Sequence, residues 1–257
     1  MSGEDVNGIE RDELERERTG ESLLSLSGVD AGYGETQVLR DLSLDVRAGE
    51  VVSLVGRNGA GKTTTLRTIN GILHPTTGTV TFRGEDISEF DATETAKRGI
   101  SLVPEQRQIF PELTVLENLQ LAEHGGADDA YSVSVDEALG MFENLQDRTG
   151  NEGSSLSGGE QQMLAIARAL VAGADLMLLD EPTEGLAPYI VADVMEIIAD
   201  INDRGITVLL VEQNVQVGLE LAGRNYVIDQ GEIVWQGSSG DLRDNRQVLD
   251  RYLGVSV

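Results

Sequence analysis

Eight residues constrain the fold of this chain more than any others. Gly56-Arg57-Asn58-Gly59-Ala60-Gly61-Lys62-Thr63 complete the phosphate-loop pattern, a glycine-rich loop that ends in lysine and a hydroxyl. The flanks matter as much as the pattern. Val51–Val55 is an apolar run of strand length broken only by Ser53, the kind buried on both faces of a sheet, and Thr63–Ile72 continues with helical spacing. A strand, a glycine loop and a helix in that order turn backbone N–H groups inward at phosphate oxygens, with the positive end of the helix dipole behind them. Lys62 is expected to bridge the β- and γ-phosphates of a nucleotide, with the Thr63 hydroxyl on Mg²⁺ and Thr64 next in the helix. An ordinary strand–helix turn that happens to be glycine-rich is the bland alternative, and the flanking elements disfavour it.

Around this loop the pattern predicts an α/β protein. Leu24–Val29, Val38–Leu39 and Leu42–Val46 look like short strands, and Gly78–Ile87 like a hairpin pair, together a separate antiparallel piece. Ile100–Val103, Leu176–Leu179 and Thr207–Val211 look like buried strands, with a helix at Ile190–Asp203 between the last two. Thr114-Val115-Leu116-Glu117 is a capping box that should open a helical region running to about Gly153, with a soft break at Gly125-Gly126. A hairpin, Tyr226–Ile228 and Ile233–Gln236, and a short helix end the chain. Strands alternating with helices imply a mainly parallel sheet covered on both faces.

Two further clusters carry chemistry. Leu176-Met177-Leu178-Leu179-Asp180-Glu181 is an apolar strand ending in adjacent acids. Asp180 is placed to hold Mg²⁺, and Glu181 to polarise a water for in-line attack on the γ-phosphate. A strand that simply ends in a polar turn is the alternative; the upstream phosphate loop weighs against it. Leu156-Ser157-Gly158-Gly159-Glu160-Gln161-Gln162 would be linker chemistry on its own, but Met163, Leu164, Ile166, Ala167 and Leu170 give the adjoining segment an apolar helical face. Ser157 and the two glycines then cap a helix and present free N–H groups, a second phosphate-binding device.

With these motifs the chain resembles the ABC ATPase family over nearly everything after Leu23. The resemblance implies a P-loop NTPase core with an antiparallel β subdomain and a helical subdomain at about 108–153. Residues 1–22, rich in Glu, Asp and Arg and nearly without apolar residues, are expected to form a disordered acidic tail, since the charged stretch Ile9–Arg18 has no apolar face to dock. The resemblance implies ATP as ligand and Mg²⁺ as cofactor. It also implies that Ser157, Gly158, Gly159 and Glu160 bind the γ-phosphate of ATP held by a second ABC ATPase subunit. Tyr33, in Ala31-Gly32-Tyr33-Gly34, matches the aromatic residue that stacks on adenine, against the alternative of a solvent-facing turn tyrosine. Glu105 stands where many members have a Mg²⁺-sensing glutamine, with Gln106 next to it, and Gln213 where most have a switch histidine. Glutamine can hydrogen-bond a γ-phosphate but cannot carry the charge of a protonated imidazole.

Together with their neighbours, Val103-Pro104-Glu105, Ile109–Leu119, Glu181–Pro188 and Val211-Glu212-Gln213-Asn214, these departures resemble the second ATPase subunit of branched-chain amino-acid importers. Urea and amide importers have similar subunits. The subgroup implies a heterodimer with an unlike cassette (a homodimer being open to the isolated chain), two transmembrane permease subunits and, indirectly, an extracellular solute-binding protein. A non-transport ABC protein and a nucleotide-dependent switch that barely hydrolyses are the other classes. The single cassette and the short interval between phosphate loop and signature argue against the first of these.

Composition bears on partners and compartment. The net charge of −26 argues against nucleic acid. Lysine occurs only at Lys62 and Lys97 and acids are spread throughout, a bias that resembles proteins of salt-loving archaea. At about 1 M salt the Debye length is about 3 Å, which screens such self-repulsion. There is no cysteine, no apolar run near the roughly 18 residues that span a bilayer, and no basic-then-apolar N-terminus. The expectation is an intracellular chain, peripheral on the cytoplasmic face of the cell membrane.

Overall fold

The computed structural model describes residues 22–123 and 130–254. Of the expected acidic tail only Ser22 is described, as the first residue of a strand; its charged stretch Ile9–Arg18 and the Gly125-Gly126 break lie outside those residues.

Among the described residues, ten strands form two sheets. The first sheet is antiparallel, in the order β2 (Thr36–Arg47), β1 (Ser22–Tyr33), β4 (Thr77–Phe82), β5 (Glu85–Asp86). The second has six strands in the order β10 (Glu232–Ser238), β9 (Arg224–Asp229), β3 (Val51–Val55), β8 (Thr207–Glu212), β7 (Leu176–Asp180), β6 (Ile100–Val103). Its strands are parallel except for the edge strand β10.

Strands β3, β7 and β8 are buried at every position. Successive side chains point to opposite faces, and both faces are covered. Val52, Leu54, Leu176, Leu178, Leu209 and Val211 pack toward the antiparallel sheet and the phosphate-loop helix α1 (Lys62–Ile69). Met177, Leu179, Val208 and Leu210 pack toward the helical side, where α6 (Gly158–Ala172) and α7 (Pro188–Asp203) lie. With no free face, such strands can offer polar groups only at their ends. Tyr226 and Arg224 on β9 tie the two sheets together through Asp45: the tyrosine hydroxyl donates to the Asp45 carbonyl at 3.1 Å, and Arg224 reaches the Asp45 carboxylate at 2.9 Å.

The structure departs from the sequence-based expectation in two places. β1 and β2 are twelve-residue strands, not three short pieces. Their register shifts between Leu26 and Val29, where Gly28 has φ +60°, and Asp41 sits opposite with φ +46°. These bulges break the two-residue alternation by which long strands are recognised. The region after Thr114 is also not one helical stretch. It contains α3 (Val115–Ala122), α4 (Val135–Met141) and α5 (Glu143–Gln146), each short, with α2 (Ala92–Lys97) upstream of it. A second capping box, Ser134 with Glu137, starts α4, and Phe142 at φ −114°, ψ 73° ends it.

The Thr114 capping box is present as expected. No sequence pattern points to the role of Asn118. Fully buried, it donates to the carbonyls of Phe110, Leu113 and Thr114 at 3.0–3.1 Å and accepts the Phe110 amide at 2.9 Å. It closes the 110–114 loop onto α3. Asn118→Ala should strand these groups and lower the unfolding free energy by about 3 kcal/mol, measured by urea titration.

Candidate functional site

The phosphate loop leaves β3 at Gly56, where a Cβ would come within 2.5 Å of the Ile228 carbonyl oxygen. Gly59 (φ +79°) and Gly61 (φ +117°) hold backbone conformations that side chains resist. Ala60 is buried, and its carbonyl accepts the Gly231 amide at 2.8 Å, whereas Arg57 and Asn58 are exposed. Arg57 donates to the Arg251 carbonyl at 3.3 Å, which joins the loop to the turn at Leu249–Leu253. Thr64 is buried within α1, and its carbonyl accepts the Thr68 hydroxyl at 2.8 Å.

Lys62 is 4% exposed. Its ammonium donates to the carbonyls of Gly56 and Arg57 at 3.0 and 3.2 Å and lies 3.1 Å from the Glu181 carboxylate. The Thr63 hydroxyl donates to Asp180 at 3.1 Å. The structure thus brings together the phosphate loop and the acids that end β7. It does so because β8 lies between β3 and β7, so all three release their chains on the same edge of the sheet. Ligands of open α/β sheets bind outside such carboxyl ends. A groove of about 490 Å³ opens there, lined in part by Thr63, Arg67, Asn70, Glu105, Gln106 and Asp180.

Negative charge accumulates at this edge. Burial, followed by the nearby Glu181 and Glu105, pushes the Asp180 carboxyl up to about 6. Burial also pushes Glu212 up to about 7, opposed by hydrogen bonds from Thr183. Glu184 is raised by burial and by Glu181 and Glu105. A carboxylate beside a hydroxyl, with an excess of negative charge around them, suits a hard divalent cation. Thr63 and Asp180 touch, and Glu105 lines the same groove, so these are the expected residues that would hold such a cation. Among the described residues no cluster of three or more metal-binding side chains exists, so oxygens of a bound phosphate would have to complete the coordination.

Glu181 sits at φ +48°, a left-handed backbone that costs a non-glycine residue on the order of 1 kcal/mol or more. Its amide donates to the Val211 carbonyl at 2.9 Å. Gln213 lies just past the end of β8 and is exposed. Tyr33 ends β1, is 44% exposed, and its hydroxyl accepts from Arg67 on α1 at 3.1 Å, so the antiparallel sheet delivers it beside the phosphate-loop helix.

The signature lies elsewhere. Ser157 caps α6 in a full capping box: its hydroxyl accepts the Glu160 amide at 3.3 Å, and the Glu160 carboxylate accepts the Ser157 amide at 2.7 Å. Gly159 packs under Ile190, where a Cβ would come within 2.7 Å, and Arg107 lies against Gly158. Among the described residues no hydrogen bond or ion pair joins residues 157–160 to the phosphate loop. Motif and spacing assign no role to Glu212, which is 2% exposed, or to Arg107; an acid ending a fully apolar strand was the available signal for the first.

The raised Glu212 value has a defined consequence for stability. The folded state holds this proton more tightly than the unfolded chain does. The stability it lends is therefore complete below about pH 4.5 and lost as pH rises through about 7. Glu212→Gln does not titrate. In EDTA its unfolding free energy relative to wild type should rise by about 3 kcal/mol from pH 4.5 to 8, and a pH-independent difference would contradict the assignment.

Comparison with known proteins identifies the family. The family model described as ABC transporter matches residues 39–184. A branched-chain amino-acid transport ATP-binding protein of Pseudomonas aeruginosa, BraG, is 42% identical over 90% of this chain and all of its own length. The lipopolysaccharide export ATP-binding protein LptB of Haemophilus influenzae is 37% identical, covering 91% of this chain and 98% of its own. A probable branched-chain amino-acid transport ATP-binding protein, LivF, of Archaeoglobus fulgidus is 34% identical over 91% and 99%. Among solved structures, the ABC transporter cassette MJ1267 in its ADP conformation superposes with a TM-score of 0.79 at 27% identity, covering 90% of this chain and 98% of that one. The dimeric cassette MJ0796 bound to ADP and phosphate gives 0.74 at 29% identity, covering 84% and 98%. This chain belongs to the ABC transporter family as an ATP-binding subunit, an ATPase whose hydrolysis is coupled to transport.

Proposed function

We propose that this ATPase powers an importer of branched-chain amino acids. The 42% identity to BraG over the whole of that protein carries the reading, supported by the motifs around Glu105 and Gln213. The LptB relatives are export subunits at 35–37% identity, somewhat below BraG. Among the described residues no helix is long and apolar enough to cross a membrane, so the solute path would belong to separate chains. Two permease subunits would dock on the helical segment, beside the groove and near the exposed Phe110, Leu116 and Leu121. The chain would lie peripherally on the cytoplasmic face of the membrane, paired with an unlike cassette and served by an extracellular solute-binding protein. Its acid-rich, lysine-poor surface fits a cytoplasm of high salt.

At the site, the N–H groups of residues 59–63 and the Lys62 ammonium would hold the β- and γ-phosphates, with the ring of Tyr33 against adenine. Mg²⁺ bound with ATP would neutralise phosphate charge, with Thr63, Asp180 and Glu105 as the residues that would hold it. Lys62 and Glu181 are paired in this structure. A phosphate that draws off the lysine would free the Glu181 carboxylate to accept a proton from the attacking water. Gln213 would hydrogen-bond the γ-phosphate without adding charge. The N-terminus of α6, with Ser157, Gly158 and Gly159, would close the opposite side of a partner's nucleotide.

Two experiments test this. Glu181→Gln should bind ATP normally and lose hydrolysis by about 10³-fold; Ser157→Arg should likewise bind ATP as the isolated chain yet fail to hydrolyse it in the assembled pair. Survival of activity in either variant contradicts the corresponding role. The complete transporter in liposomes should hydrolyse ATP several-fold faster with leucine-, isoleucine- or valine-loaded binding protein. Stimulation by urea or short amides, and not by these amino acids, would overturn the substrate assignment.

A further inference from the structure

The base proposed above depends on a strained backbone, and something must hold it. Glu181 has φ +48° and is succeeded by Pro182, whose own φ is fixed by its ring. Upstream, the Glu181 amide is anchored on the Val211 carbonyl of β8 at 2.9 Å. Downstream, the next residue on β8 takes over. Glu212 accepts both the Thr183 amide at 3.2 Å and the Thr183 hydroxyl at 2.7 Å on one carboxylate oxygen. Adjacent residues of a single strand therefore pin the chain on either side of Glu181.

We propose that Glu212 is a positioning residue for hydrolysis, clamping Thr183 so that Glu181 keeps the left-handed backbone that turns its carboxylate toward Lys62. Burial of an acid here is costly, and the fold alone does not require one: the five preceding residues of β8 are threonine and aliphatics, all buried. An apolar side chain would pack as the neighbours do but would release both Thr183 groups. Loop 183–188 would then relax, and the Glu181 carboxylate would shift. A misplacement of about 1 Å at a reacting group is worth about 10²-fold in rate. Glu212 forms no hydrogen bond or ion pair with the phosphate loop among the described residues, so ATP binding should not feel its loss.

The inference rests on Glu181 being the base. Mg-ATP hydrolysis by the assembled transporter should be measured for Glu212→Ala, Glu212→Gln, Thr183→Val, the Glu212→Ala/Thr183→Val pair and Glu181→Gln. Glu212→Ala should lower kcat by about 10²-fold with KM for ATP within about threefold of wild type. Glu212→Gln, which keeps an acceptor for Thr183, should recover kcat to within about tenfold of wild type. Thr183→Val should lower kcat about tenfold, and the pair should be no slower than Glu212→Ala alone. A Glu212→Ala kcat above about a third of wild type, equal rates for the Ala and Gln variants, a parallel rise in KM, or additive losses in the pair would each overturn it. If Glu212→Ala does not fold, Thr183→Val decides, because it deletes one hydroxyl and keeps the side-chain shape. An active Glu181→Gln would remove the base assignment itself. An inactive one beside a normal Glu212→Ala would remove only this inference.

Discussion

Lys62 is buried against Glu181, with Asp180 and Glu212 also buried close by, and the structure is organised around that concentration of desolvated charge. An isolated ammonium in this setting would be expensive to keep charged. Here it is met by two backbone carbonyls and a carboxylate, which satisfy its three donors. The arrangement exists because β3, β8 and β7 are neighbours in a parallel ladder. Each is buried along its length, and β7 and β8 end in the acids Asp180 and Glu212 while β3 opens into the glycine loop. The loops that leave one edge of the sheet therefore place a glycine loop and the carboxylates of Asp180, Glu181 and Glu212 within reach of one another.

The antiparallel sheet and the helical segment serve this edge in different ways. Through Tyr226, Arg224 and Asp45 the antiparallel sheet is fastened to β9, which fixes the turn bearing Tyr33 relative to α1. The helical segment is held by polar devices more than by length. Its helices are short, each of α3 and α4 opens on a capping box, and Asn118 closes the loop before α3. Its apolar residues Val115, Leu119, Ala138 and Phe142 join the same buried cluster as α6 and β7, so the caps set where each helix starts while the core holds the segment to the sheet.

Much of this was legible from the chain alone. The phosphate loop, the Asp180-Glu181 pair and the helix cap at Ser157 are local: each is a short string whose chemistry comes from residue type and order. The parallel sheet could be read from unbroken apolar runs. What stayed hidden was non-local or irregular. The bulges at Gly28 and Asp41 erased the alternation of two long strands. Asn118 and Glu212 are ordinary letters until the fold sets them beside unpaired amides and hydroxyls. Lys62 and Glu181, 119 residues apart, were expected at one γ-phosphate from their motifs, but the direct ion pair between them appears only in the fold.

The capping box on α6 decides what that helix can offer to another molecule. Glu160 takes up the Ser157 amide and Ser157 takes up the Glu160 amide, which leaves Gly158 and Gly159 as the first-turn donors without such a partner. Neither carries a side chain. An anion arriving there would be read by two peptide groups and by the Arg107 guanidinium beside Gly158, through charge and distance. A surface of that kind registers the anion and not the molecule that carries it.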